Sequence, residues 1–294
     1  MTPDHASQDL QSQVPSRDEI ARLYPPRWSF LELKLFIDSG DLGLLKRDPA
    51  LQQRYDAWLD LVRVAHGTVS AYLVNIRLGW AAAPPAPPGV FFTVDSPREL
   101  WKILQNDWPY CIPHDVEHAL VWTRVPIVNA ERIPPAVRAR IDDCGLWGFT
   151  GGADAELIRT DGTDDDDRGA KYIGTGEEAR AVRAAIRVAG TDVDAFVRTH
   201  WPEDEWETAW FVNPPRLQSI PGLAHTHVFA RRKTTPVQPL TPYRPFQFIS
   251  VVCAITDLQT RRVVSKFRCM LSRSIPIRQS RQTIPGVSAS RDYL

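Results

Sequence analysis

Apolar residues recur at three- and four-residue spacing through much of the first 80 positions and again between 177 and 200, the signature of amphipathic helices. Ser16 to Glu19 forms an S-x-x-E capping box, so a short helix runs through Ile20 and Leu23 and stops at Pro25 and Pro26. Trp28 to Ile37 predicts a second helix closed by Gly40 and Gly43. From Leu51 to Ile76 the apolar positions Tyr55, Trp58, Leu59, Val62, Ala65, Val69, Tyr72 and Leu73 predict one long helix bent near Gly67. Four prolines between Ala81 and Gly89 exclude helix there and read as a stiff connector.

Beyond the connector the pattern mixes. Ser96-Pro97-Arg98-Glu99 carries helix-start signals and predicts a helix over Glu99 to Leu104. Val116 to Val125 is rich in β-formers and predicts a strand, and Pro134 to Ile141 a short helix. Gly, Asp and Thr dominate residues 151–176, which read as a solvated acidic insertion. Helices are expected from Glu177 to Val188 and from Val193 to His200, then strands over Glu205 to Val212 and Ala224 to Ala230. The class is α+β: an N-terminal helical region packed on or beside a small mixed core. Its divisions are a structureless segment 1–15, the helical region 16–80, the connector 81–94, a core 95–232 and a basic tail 233–294. The tail holds strand-like runs at 246–255 and 263–270 but is dominated by Ser, Arg and Gln, and is expected to be partly disordered.

Composition narrows the function classes. Thirty-five basic and 35 acidic residues cancel across the 294-residue chain, which argues against a dedicated nucleic-acid or membrane-surface protein. The charge is unevenly placed, since from Arg231 onward twelve basic residues face two acidic ones. That tail has no aromatic platform, so no specific nucleic-acid binding is expected. Cys111, Cys144, Cys253 and Cys269 form no C-x-x-C pair and read as reduced thiols. No stretch has the roughly 20 apolar residues of a membrane span, and the polar start lacks signal-peptide character, so a cytoplasmic protein is expected.

Three stretches carry candidate chemistry. His225, His227 and Phe229 share one face of a strand, with successive members roughly 7 Å apart. Two imidazoles so placed can serve as nucleophile and acid–base partner, or as two ligands of one metal; buried histidines bonded to carbonyls are the plainer reading. Upstream, Asn213-Pro214-Pro215-Arg216-Leu217-Gln218-Ser219 is a proline-stiffened turn in which Arg216 can clamp an oxyanion and Asn213 and Ser219 can orient a ligand. Asp107, Trp108, His118 and Trp122 supply an acid and aromatic faces suited to a sugar or base, against the alternative that the tryptophans are core anchors. Gly174-Thr175-Gly176-Glu177-Glu178-Ala179 imitates a dinucleotide loop, but two glutamates at the helix start would repel a pyrophosphate. Neither a cofactor nor a metal is specified.

Asn106-Asp107-Trp108-Pro109-Tyr110, with Trp122 downstream, and Trp210-Phe211-x-Asn213-Pro214 followed by Leu217-Gln218-Ser219 and His225-x-His227-Val228 resemble a mainly fungal family named after N-acetylglucosamine-induced protein 1. The likeness spans roughly residues 95–232; Cys111 stands where the family pattern has glycine, and neither the acidic insertion nor the tail has a counterpart. The resemblance implies a domain of unknown function linked to the response to N-acetylglucosamine, without assigned catalytic residues. A thinner likeness is to the histidine-triad hydrolases, whose H-x-H-x-H strand here has Phe229 in third place. Three functions follow as expectations. The first is binding of an amino sugar or its phosphate. The second is histidine-dependent phosphoester or nucleotide-sugar chemistry, with His227 as nucleophile or base and His225 as partner. The third is a non-enzymatic interaction role.

Overall fold

A computed structural model of the protein describes residues 9–152, 176–218, 220 and 223–233. All of these lie in the first of two compact units, residues 1–237. Ser219, most of the acidic insertion and the tail with its two strand-like runs fall outside the described residues.

Helices come first. Ser16 caps α1 (Arg17–Leu23) by accepting the Glu19 N–H at 3.1 Å. Ser29 and Glu32 form a reciprocal capping box at the start of α2 (Phe30–Ser39), which ends on Gly40 in the left-handed conformation. Asp48 caps α3 (Pro49–His66), whose proline occupies the first helical position. The expected single helix to Ile76 is broken at Gly67, whose φ of 77° costs little for glycine alone. Thr68 then caps a new turn, α4 (Val69–Tyr72), which continues as one π-helical turn over Leu73–Arg77. Residues 9–15, expected to be structureless, are held in part: Leu10 is buried, and the Trp58 indole donates to its carbonyl at 3.0 Å.

A five-stranded antiparallel sheet forms the middle of the unit. Its strands are β1 (Trp101–Gln105), β2 (Val116–Thr123), β3 (Leu146–Thr150), β4 (Trp206–Val212) and β5 (Ala224–Arg232), in the order β1-β2-β5-β4-β3. Strand β1 corrects the helix expected over Glu99 to Leu104. The Ser96 hydroxyl accepts the Thr93 N–H instead of capping a helix, only a 3₁₀ turn forms at Arg98–Leu100, and the chain pairs with β2 from Trp101↔Thr123 to Gln105↔Ala119. Strand β3 had no sequence signal because Gly148 interrupts it; that glycine is needed where Trp210 of β4 crosses.

Both sheet faces are covered. Registers Trp122↔His225, Leu120↔His227 and Phe211↔His227 put these side chains on one face with Leu104 and Glu207. Helix α2 packs on that face, where Lys34 pairs with the largely buried Glu207. The opposite face carries α5 (Pro135–Cys144), α6 (Glu177–Ala189) and α7 (Thr191–His200) around Trp210, Phe196 and Val228. The fold class is therefore α+β, as expected, with helices on both sides of the sheet. Among the described residues no helix is long and apolar enough to cross a membrane. Cys111 and Cys144 are free and buried.

Trp210 is 1% exposed, donates to Asp194 Oδ1 at 3.1 Å, and leaves no room above Gly148, where an added Cβ would sit 2.6 Å from its ring. Overpacking of this kind costs about 1–3 kcal/mol. Gly148→Ala is expected to lower Tm by roughly 2–12 °C in a calorimetric scan, at about 2–4 °C per kcal/mol; an unchanged Tm would mean that the ring is not held against this strand.

Candidate functional site

On the α2-side face of the sheet, a cavity of about 170 Å³ lies between the strands and helices α3 and α4. Its floor is Leu104, Leu120, Trp122, His225 and His227, and its rim includes Asp107, Trp108 and Asn213. Six residues nominated from sequence thus converge: Asp107, Trp108, Trp122, Asn213, His225 and His227. Strand alternation explains part of this, since Trp122, His225 and His227 are register neighbours. Asp107 and Trp108 arrive on the bend after β1, which Asn106 shapes by accepting the Trp108 N–H at 3.0 Å.

The remaining nominations fall elsewhere. Arg216 is exposed and bound to Asp143 at 2.8 Å, away from the cavity. His118 lies behind His227 and lines a separate, larger groove of about 390 Å³ between α1 and residues 105–116. That groove takes in Asn106 and Asp107 but neither His225 nor His227. Ser219 lies outside the described residues.

The helices supply wall residues that sequence reasoning passed over: Arg47, Tyr55, Trp58, Tyr72 and Arg77. Their apolar members read as an ordinary core stripe, which they also are. Trp58 packs on Tyr72 and Trp108 with ring centroids 5.6 and 5.4 Å apart. Arg77 pairs with Asp107 at 2.7 Å. Burial pushes the Asp107 carboxyl up, and Arg77 partly offsets this. What makes them wall residues is the packing of these helices over the sheet, which no local pattern marks.

Proton counting defines the histidines. Asn106 Nδ2 stands 3.2 Å from His118 Nδ1, His118 Nε2 3.0 Å from His227 Nδ1, and His227 Nε2 3.3 Å from Asn213 Nδ2. Two neutral imidazoles bring one hydrogen each; if both amides also presented N–H, four hydrogens would fill three gaps. Asn106 is committed, because its oxygen already accepts the Trp108 N–H. The balanced arrangement therefore turns the Asn213 amide so that its oxygen faces His227. Asn106 then donates to His118 Nδ1, His118 Nε2–H to His227 Nδ1, and His227 Nε2–H to Asn213. Both nitrogens of His227 are engaged, and its ring is stacked between Phe211 at 4.6 Å and Tyr110 at 5.8 Å.

His225 differs. Its Nδ1–H donates to the Leu223 carbonyl at 3.1 Å, which leaves Nε2 with a lone pair and no partner among the described residues. Its ring lies against Trp122, with centroids 4.4 Å apart. Two wall residues have unmatched donors as well: the indole N–H groups of Trp108 and Trp122 are buried without an acceptor. Buried polar groups are nearly always paired, so such orphans mark a place where a partner is missing. Among the described residues, no group of three or more His, Cys, Asp or Glu is placed to hold a metal ion.

Comparisons with known proteins bear on this arrangement. The chain is similar to a family of unknown function. That family, described as "Protein of unknown function (DUF3605)", matches residues 28–144, which carry α2 to α4, β1, β2 and α5 but not the His225 strand. A relative in Saccharomyces cerevisiae, "Uncharacterized protein YPL067C", is 27% identical over 204 residues, covering 68% of this chain and 77% of its own. A solved chain described as "Crystal Structure of HTC1" is 23% identical, with a TM-score of 0.40 over 69% of this chain and 84% of its own.

Burial holds the pKa of His118 and His227 well below the usual 6.5, reinforced by Arg47 and by neighbouring imidazoles. Unfolding exposes them to their ordinary value, so below about pH 6.5 the unfolded chain binds protons that the folded chain refuses. Stability from this source is complete above that pH and is lost as pH falls toward the folded values. Tm is expected to drop between about pH 7.5 and pH 5, and His227→Asn, less stable at pH 7.5, is expected to lose less over the same interval. An equal loss in both proteins would show that these imidazoles are not buried neutral.

Proposed function

We propose that the protein binds a small polar ligand in the cavity above His225 and His227, and that an amino sugar or its phosphate is the first class to test. The observation that carries this reading is convergence: Asp107, Trp108, Trp122, Asn213, His225 and His227 come from four separate segments and line one concave space. Flat aromatic walls interspersed with a few fixed polar groups suit a sugar ring, whose C–H faces stack while its hydroxyls are sorted by donors and acceptors. The free lone pair on His225 is of the kind such hydroxyls complement. The motif resemblance to the N-acetylglucosamine-induced family supports amino sugars as the starting point.

Size favours a compact ligand. Pockets for drug-sized molecules span roughly 300–1,000 Å³, against about 170 Å³ here. A single ring with one substituent is in scale; a nucleotide sugar is not.

A second reading, phosphoester or glycosyl chemistry dependent on a histidine, is favoured by one observation. Leu223 fixes the tautomer of His225 with Nε2 as the base. A general base needs such an oriented lone pair, and His225 fits that role better than His227, whose two nitrogens are engaged.

A thermal-shift series on the full chain tests the binding reading, using N-acetylglucosamine, glucosamine, their phosphates and nucleotide sugars. A ligand at about a hundred times its Kd stabilises by about 2.7 kcal/mol, which is roughly 5–10 °C for a domain of this size. A monosaccharide or its phosphate is expected to give such a rise in the native protein, and His225→Gln and Trp122→Phe to diminish it. No rise with any of these compounds would overturn the reading.

A further inference from the structure

The cavity carries an unbalanced charge. Arg77 and Asp107 neutralise one another at 2.7 Å, and burial keeps both imidazoles of the floor neutral. What remains is Arg47, just before α3. Its Nε donates to the Trp108 carbonyl at 2.8 Å and one terminal nitrogen to Gln52 at 3.1 Å, while its Cζ lies 4.2 Å from the Tyr55 ring centroid and 5.7 Å from that of Tyr110. No carboxylate among the described residues pairs with it, and its other terminal nitrogen has no acceptor there. A guanidinium does not shed its proton, and a partly buried one without a counter-charge is costly, so a fork with no carboxylate, fixed by two hydrogen bonds close to two aromatic rings, is organised for an oxyanion.

We propose that the cavity selects an anionic ligand, a phosphate or carboxylate carried on one small ring, and that Arg47 is the residue that meets the charge. This rests on the cavity being the ligand site, as argued above, and moves the anion-recognising role from Arg216, bound to Asp143, to a residue of the helical wall. Burial adds weight, because a charge-assisted hydrogen bond screened from solvent is stronger than an exposed one.

Titration calorimetry with glucosamine, glucosamine 6-phosphate and inorganic phosphate, on the native chain and on Arg47→Gln and Arg47→Lys, tests the proposal. The native protein is expected to bind the phosphorylated sugar about tenfold or more tightly than the neutral parent, and Arg47→Gln to lose that margin. Arg47→Lys keeps the charge without the fork and is expected to keep part of the margin, so it serves if the glutamine variant fails to fold. Equal affinity of the native protein for the two sugars, or an unchanged margin in Arg47→Gln, would overturn the anion proposal and leave the binding reading standing. Binding of neither sugar would overturn the anion proposal, and the binding reading with it if N-acetylglucosamine and its phosphate also fail to bind.

Discussion

Three neutral imidazoles buried on one sheet face are the constraint around which this protein is arranged. Burying an imidazole is costly unless its proton and its lone pair find partners. His118 and His227 meet that demand through one another and through two asparagines at the ends of the line. Because Asn106 is bound by the Trp108 backbone, the bend that carries Asp107 and Trp108 and the hydrogen-bonding state of β5 are set together. The same side chain that orients His118 therefore shapes the rim of the cavity, so the structural and the proposed binding roles are not separable by position.

The plainer reading of the two histidines, buried rings bonded to carbonyls, holds for one nitrogen of His225, whereas the partners of His227 are side chains. His227 is a core group whose ring is stacked and whose nitrogens are both occupied. His225, two residues away on the same face, has one nitrogen clamped by a carbonyl and the other unengaged. Strand alternation places both toward the cavity, but alternation alone does not say which nitrogen has a partner.

Much of the fold was legible locally. The cap at Ser16, the periodicity of α3, α6 and α7, and the strand patterns of β2, β4 and β5 each announce themselves within a few residues. Failures occur where a distant partner decides. Trp101–Gln105 follows a helix-start signal yet becomes a strand because β2 supplies a ladder to pair with. Leu146–Thr150 contains a glycine that weakens any strand reading, and that glycine makes sense only once Trp210 lies across it. The site divides the same way. Cavity residues on β2, β5 and their flanking turns were nominated from side-chain type and spacing, whereas Arg47 and Arg77 were invisible because nothing in their neighbourhoods reveals that α3 and the turn after α4 roof the sheet. Arg216 looked like the anion clamp because Asp143, its actual partner, is 73 residues away in sequence.

The hydrogen-bonding state of the histidines is the claim on which the account turns, and nitrogen NMR of selectively labelled imidazoles reads it directly. At neutral pH the account predicts three neutral rings: His118 and His227 carrying their proton on Nε2, and His225 carrying it on Nδ1 with an unprotonated Nε2. A His227 ring protonated on Nδ1, or one that titrates near its ordinary value of about 6.5, would contradict the proton line and with it the division of roles between His227 and His225.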